Sequence, residues 1–331
     1  MRAPVIDVHA HILPQVYLDA MRTAGLADKA GRPVGDGFPF PAWSLHDTLQ
    51  VMDRHAIAAS VLSITAPGAQ FERGTKARGL VRSLNEAMIA IVQEHPARFA
   101  ALATLPMSDI DASLDEMGQA LDRLGFDGIG LYSNVDGVYL GDARFAPLFE
   151  ELNRRKAVVF VHPAQPPGFE QFSLGLPAPI LEYPFDSTRM LASLLYSGAL
   201  ARYPDIKLVV PHGGGTVPYL ASRIARAASA DFRTGPKTPP GEAMQLLRSV
   251  YYDLTAMSET GNMALLKEFV PADRLLVGYD YPFRPESTIA PQTATLDNFA
   301  GFSDAEKESI RTVNALKLFP RLAGHQAAAL S

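Results

Sequence analysis

Short runs of apolar, largely β-branched residues recur along the chain, and longer stretches between them repeat apolar positions every three or four residues. The short runs occupy residues 4–11 (PVIDVHAH), 60–65 (SVLSIT), 98–105 (RFAALATL), 128–133 (GIGLYS), 157–163 (AVVFVHP), 207–214 (KLVVPHGG), 250–255 (VYYDLT) and 274–282 (RLLVGYDYP). Helical spacing marks residues 48–56, 78–96, 113–125, 144–156 and 188–204, and several of these stretches end in Gly or Pro, as helices do. Alternation of this kind calls for parallel strands joined by helical crossovers, and eight units predict a closed (β/α)₈ barrel of the TIM type. An open doubly wound sheet is the competing architecture, but the Gly-rich phosphate turn expected after its first strand is missing. A single barrel domain over residues 1–331, with C-terminal helices packing on it, is therefore expected.

Two stretches break the alternation. Residues 25–44 (GLADKAGRPVGDGFPFPAWS) and 163–186 (PAQPPGFEQFSLGLPAPILEYPFD) are rich in Gly, Pro and aromatic residues. Loops of this length are usually functional, and their bulky apolar content predicts ordered covers over a pocket at the carboxyl-terminal face of the strands. The terminal HQAAALS is expected to fray.

Composition narrows the function classes. With 47% hydrophobic and 20% charged residues, the 331-residue chain can bury a sizeable core. A formal net charge of -5, without any cluster of basic residues, argues against a nucleic-acid partner. There is no cysteine, so disulfides, thiolate metal sites and a cysteine nucleophile are excluded, and a transition metal must be held by His, Asp or Glu. The first apolar run is too short for a signal peptide and no 18-residue apolar span follows, so a cytoplasmic protein without membrane contact is expected.

The histidines carry the chemistry. His9 and His11 lie two apart at the end of the first strand, where side chains two apart share a side and can reach one ion. His162, His212 and Asp280 each close another apolar run, and in a parallel barrel all such ends gather at one rim. His46, His55, His95 and His325 fall in helical stretches or the tail and are expected to play ordinary structural parts. His9, His11, His162 and Asp280 would offer one divalent ion three nitrogens and an oxygen with room for a further ligand, which suits zinc best and manganese as the alternative, with no organic cofactor. His212 is then available for acid–base work near neutral pH, a fifth metal ligand being its competing role.

As a set, DVHAHILP, VVFVHPAQPP, PHGGGTVPYLASR and VGYDYPF make the chain resemble the amidohydrolase-related decarboxylases, the group that includes aminocarboxymuconate semialdehyde decarboxylase and the resorcylate decarboxylases. PAWSLHDTLQVMD, VLSITAPGAQF, VYLGDARFAPLFEEL and LPAPILEYPFDSTRMLASLLYSGAL are similar to stretches of 6-methylsalicylate decarboxylase-like members. The resemblance implies a metal held by His9, His11, His162 and Asp280, His212 in acid–base catalysis, and assembly as a homodimer or homotetramer; for the reaction itself, Asp280 as proton donor to the ring carbon and His212 as base toward a metal-bound water are the alternatives. Arg223, eleven residues beyond His212, is the candidate for holding a substrate carboxylate. Trp43, Tyr183, Phe185 and Phe283 are candidates for an apolar wall against an aromatic ring.

Three positions depart from relatives. No arginine flanks Trp43, unlike the muconate-acting members; Gly215 stands where resorcylate-type members carry Glu; and Tyr279 replaces a common Ser or Thr before the metal aspartate. The expected activity is metal-dependent, non-oxidative decarboxylation of a small ortho-hydroxybenzoate such as 6-methylsalicylate. Hydrolysis of a lactone or amide, or action on a muconate-like acid, is the alternative. GIGLYSN (128–134) ends without the lysine that binuclear hydrolases place there.

Overall fold

The structure is a computed structural model that describes residues 4–323. Eight strands, β1 (Val5–His11), β2 (Ile57–Ser63), β3 (Phe99–Ala103), β4 (Gly128–Tyr132), β5 (Val158–His162), β6 (Lys207–Val210), β7 (Tyr251–Asp253) and β8 (Leu275–Leu276), lie in one sheet in chain order. Every neighbouring pair is parallel. The chain beyond β8 returns to β1: Val8 N–H donates to the Val277 carbonyl at 2.8 Å, Asp280 N–H to the His9 carbonyl at 2.7 Å, and His11 N–H to the Tyr281 carbonyl at 2.8 Å. The sheet is thus closed, and the predicted barrel is the observed fold.

Closure leaves only one end of the barrel open. Ile6, Val8, Val61, Leu102, Phe160 and Leu276 fill its interior, and a C-terminal helix (Asn314–Leu318) with Phe319 and Leu322 packs into the same cluster from the amino-terminal side. The helices around the sheet follow the amphipathic stretches, and side-chain caps start several of them. Ser44 Oγ accepts the Asp47 N–H at 3.0 Å to open helix Leu45–Arg54, and Asp109 does the same for Ile110–Gly118.

The two covering stretches are more regular than expected. Residues 25–44 contain a small antiparallel pair, Val34–Gly35 with Phe38–Pro39. The second cover is shorter than 163–186, because a helix spans Ala178–Tyr196. Pro179 sits in its first turn, where a missing N–H leaves no bond unmade, so proline there starts a helix rather than marking a loop. The helix expected over 188–204 instead ends at Tyr196, since Gly198 adopts a left-handed backbone (φ +79°) before a short turn, Ala199–Arg202. The covers are joined by Asp36, which is buried: its carboxylate accepts the Tyr183 hydroxyl and the Gln165 N–H, both at 2.8 Å. Burial pushes the Asp36 carboxyl above the ordinary carboxylate range.

No helix among the described residues is long and apolar enough to cross a membrane. His325 and the HQAAALS tail lie outside the described residues.

Candidate metal centre

Strand β1 reaches the open rim by an irregular route. Between Asp7 and Ala10 its pairing with β2 shifts, so that Val8 and His9 together face Val61. Simple alternation would turn His9 away from the side that carries Ile6 and Val8. The extra residue rephases the strand, and the His9 ring lands 4.9 Å from Phe160 inside the barrel. Asp7 holds the bulge by accepting the His9 and Tyr279 N–H groups at 3.0 and 3.1 Å. Beyond the bulge, His9 and His11 point the same way, with Nε2 atoms 3.1 Å apart.

His162 at the end of β5 and Asp280 beyond β8 complete a cluster whose donor atoms all lie within 4.8 Å of one another. Asp280 Oδ1 is 3.1 Å from His11 Nε2 and 3.4 Å from His9 Nε2. Donors each bound ~2.1 Å from one ion would stand about 3.0–3.4 Å apart, so these separations fit a shared cation. The outer ring nitrogens are engaged elsewhere. His9 Nδ1 meets Asp253 Oδ2 at 2.8 Å, His11 Nδ1 meets Ser63 Oγ at 3.0 Å, and His162 Nδ1 meets the Pro163 carbonyl at 2.7 Å. That arrangement turns three Nε2 lone pairs inward, toward a carboxylate oxygen that accepts no hydrogen bond of its own. Among the described residues this is the one His, Asp and Glu group close enough to hold an ion.

The electrostatics agree. Burial, reinforced by the neighbouring rings, lowers the pKa of His162 well below the usual imidazole value and that of His11 to a smaller degree, which keeps their donor pairs free. Burial also disfavours charge on His9, but Asp280 and Asp253 outweigh it and raise that pKa. Asp280 is buried too, yet the surrounding histidines hold its carboxyl well below the carboxylate range.

His212 stands at the edge of the cluster, its Nε2 3.6 Å from Asp280 Oδ2 and its side chain 13% exposed. Its Nδ1 is buried without a partner. Both His212 (φ +55°) and Asp280 (φ +61°) have left-handed backbones, a conformation enriched where side chains must be aimed. Asp253 braces this corner. Its Oδ2 holds His9, while its Oδ1 accepts the His212 and Thr255 N–H groups at 2.8 and 2.9 Å. Sequence reading missed Asp253, although it closes the seventh strand as His162 closes the fifth.

Over the cluster lies a cavity of ≈ 400 Å³ lined by His162, His212 and Asp280 below and by Phe38, Phe40, Ile180, Tyr183, Phe283 and Arg284 around the sides. Tyr183 meets the His162 ring edge-on at 5.5 Å, and Phe283 meets His11 at 5.6 Å and Phe40 at 5.1 Å. Of the five residues proposed from sequence for substrate contact, Tyr183 and Phe283 therefore line the cavity. Trp43 is half-buried against the core instead, and Arg223 is exposed on helix Val217–Ala227, with neither lining the cavity of this chain. Phe185 is 38% exposed and likewise absent from the lining. His46 and His55 sit on a surface helix and at its end, where His55 meets Glu286 at 3.0 Å, and His95 ends another helix.

A family model described as amidohydrolase matches residues 6–321, which is nearly the whole chain. The chain belongs to the amidohydrolase family. Among curated relatives, this amidohydrolase is 36% identical to decarboxylase yanB of Aspergillus niger, over 96% of this chain and 87% of the relative. It is 35% identical to the 6-methylsalicylic acid decarboxylase of Penicillium expansum, over 96% and 97%. Among solved structures, 5-carboxyvanillate decarboxylase of Novosphingobium aromaticivorans, complexed with manganese and 4-hydroxy-3-methoxy-5-nitrobenzoic acid, superposes with a TM-score of 0.83 at 22% identity, covering 96% of each chain.

Two departures noted in sequence now have physical reasons. Tyr279 is buried, and its hydroxyl lies 2.7 Å from Thr293 Oγ1 on the helix Ile289–Asn298, so the larger side chain pins that helix to the strand end. Gly215 has φ +66°, and a Cβ there would stand 2.0 Å from the Pro184 carbonyl oxygen. A glutamate cannot occupy that position without displacing helix Ala178–Tyr196. Gly215→Ala in this amidohydrolase is accordingly expected to cost on the order of 2–4 kcal/mol, through both backbone strain and overlap. Denaturant titration checks this, and unchanged stability would mean the loop and helix are free to separate.

Proposed function

We propose that this chain is a metal-dependent, non-oxidative decarboxylase of a small ortho-hydroxybenzoate, with 6-methylsalicylate as its leading substrate. The observation that carries the reading is a His₃Asp donor set at the floor of an aromatic-walled cavity, in a chain 35% identical to a 6-methylsalicylic acid decarboxylase along nearly its whole length. His9, His11, His162 and Asp280 are proposed to hold the metal, zinc first and manganese as the alternative. When bound there, a divalent ion would supply Lewis acidity toward the oxygens of an ortho-hydroxy acid.

The barrier is the electron pair left on the ring carbon as CO₂ departs. Protonating that carbon first removes it, since the C–C electrons then return to the ring and restore aromaticity. An ionised Asp280 needs a proton before it can make that delivery, and His212, 3.6 Å from Oδ2, is the group placed to pass one on from the substrate hydroxyl. Net, the carboxylate and one proton become the arene hydrogen and CO₂. Phe38, Phe40, Tyr183 and Phe283 keep water from competing and confine a planar ring.

Hydrolysis of a lactone or amide by a two-metal centre is poorly supported. The end of β4 offers Tyr132, whose hydroxyl is tied to the Ile64 carbonyl at 3.0 Å, where a bridging ligand would be needed. The test is to supply zinc- or manganese-loaded protein with 6-methylsalicylate, 2,6-dihydroxybenzoate and a simple aryl lactone. CO₂ and 3-methylphenol are expected from the first. Turnover of the lactone alone would replace the decarboxylase reading with a hydrolytic one. Assembly as a dimer or tetramer is proposed as well, supported by the exposed apolar residues Phe172, Leu174 and Leu176 on the second cover and Ile180 and Leu181 at the start of the helix that follows, and light scattering decides it.

A further inference from the structure

Apart from the donor cluster and His212, the cavity wall is apolar but for Thr65, Tyr183, whose hydroxyl is taken by Asp36, and one cation. Arg284 is the single Arg or Lys among the described residues that line it. It lies four residues beyond Asp280, whose carbonyl accepts the Arg284 backbone N–H at 2.9 Å, so the root of the side chain is fixed to the segment that carries a metal donor.

Its guanidinium has no hydrogen-bond or ion-pair partner among the described residues. Arg284 Nε is buried with no hydrogen-bond partner. The acidic side chain nearest in sequence, Glu286, is already taken: Arg54 binds it through Nε and an Nη at 2.8 Å each, and His55 adds a third contact at 3.0 Å. A buried donor left without an acceptor is costly, and a planar fork of donors opening on a cavity is the shape that recognises a carboxylate through two parallel bonds.

We infer that Arg284 is a specificity-determining residue that pairs with the carboxylate of the aromatic acid and so orients the ring over the donor cluster. The choice of acid rests on the decarboxylase reading. The pairing exists only while the carboxylate does. Once CO₂ has left, the remaining phenol is uncharged near neutral pH and has no group for Arg284 to hold, so the same contact that captures substrate lets product go. Arg284 thus acts mainly on binding, and its loss raises KM more than it lowers kcat.

The experiment measures binding without turnover. Metal-reconstituted wild type, Arg284→Met, Arg284→Gln and Arg284→Lys are titrated calorimetrically with 2-methylbenzoate, which lacks the hydroxyl, and with 3-methylphenol, which lacks the carboxylate. Arg284→Met and Arg284→Gln are expected to bind 2-methylbenzoate roughly 10- to 100-fold more weakly, with affinity for 3-methylphenol within about twofold of wild type and Arg284→Lys in between. Equal losses for both probes, no loss for the acid, or a wild type that does not bind the acid would each overturn the inference. Because neither probe is turned over, the result is independent of the decarboxylase reading. A protein that releases no CO₂ from 6-methylsalicylate yet loses acid binding selectively on substitution would refute that reading and leave the role of Arg284 standing.

Discussion

His11→Ala is expected to lose bound metal and turnover together. His11 is buried, with Nε2 3.1 Å from both His9 Nε2 and Asp280 Oδ1, so its removal opens one side of the donor set. Losing an outer-shell partner of a metal ligand typically costs 10- to 100-fold in affinity, and losing the ligand itself should exceed about 100-fold. Metal analysis after dialysis and CO₂ release provide two readouts, and thermal melting provides a third. A ligand present at about 1,000 times its Kd adds about 4 kcal/mol of apparent stability, so zinc should raise the melting temperature of wild type and leave the variant nearly unmoved. Wild-type affinity should also rise with pH. Proton and ion compete for the ring of His9, whose pKa Asp280 and Asp253 raise against the opposing effect of burial. Retention of a stoichiometric ion by His11→Ala would remove that residue from the donor set.

His212→Asn should separate what His11→Ala joins. The His212 side chain lies beside the donor set rather than within it, and its backbone N–H, not its ring, is what Asp253 holds. Metal content is therefore expected to stay normal while kcat falls by about 10²–10⁴, the usual range for loss of a positioned acid–base group. Asn is the substitution to use because it tolerates the left-handed backbone at φ +55°, whereas alanine would mix strain with chemistry. Parallel loss of metal would make His212 a fifth ligand instead. A near-normal rate would deny it any part in proton transfer.

How much of the site was legible in sequence depended on how local each signal was. The H-x-H pair and the residues closing the fifth, sixth and eighth runs were found because a strand end is a property of a few neighbouring residues, and parallel strands bring all such ends to one rim. Asp253 carried the same signal in VYYDLT, but an aspartate at a strand end is common, and only its bonds to His9 and to the His212 backbone distinguish it. Arg223 and Arg284 could not be ranked from sequence. Both are arginines in mixed apolar surroundings, and the barrel places the first on an exposed helix face and the second on the cavity wall. Proline content misplaced the end of the second cover, because Pro179 in a helix's first turn and a proline in a loop look alike until the following residues are seen to coil.

The sequence by itself determined the eightfold alternation of strand and helix, the absence of thiol chemistry and the residue types available to a metal, since each follows from composition or from periodicity within a few turns of chain. Tertiary structure alone decided that a bulge turns His9 inward, that Asp253 braces two histidines more than 200 residues apart (His9 and His212), that Gly215 abuts the Pro184 carbonyl, and that Arg284 opens on the cavity. These depend on which distant side chains meet once the eighth strand closes on the first, and separation along the chain carries no record of that distance in space.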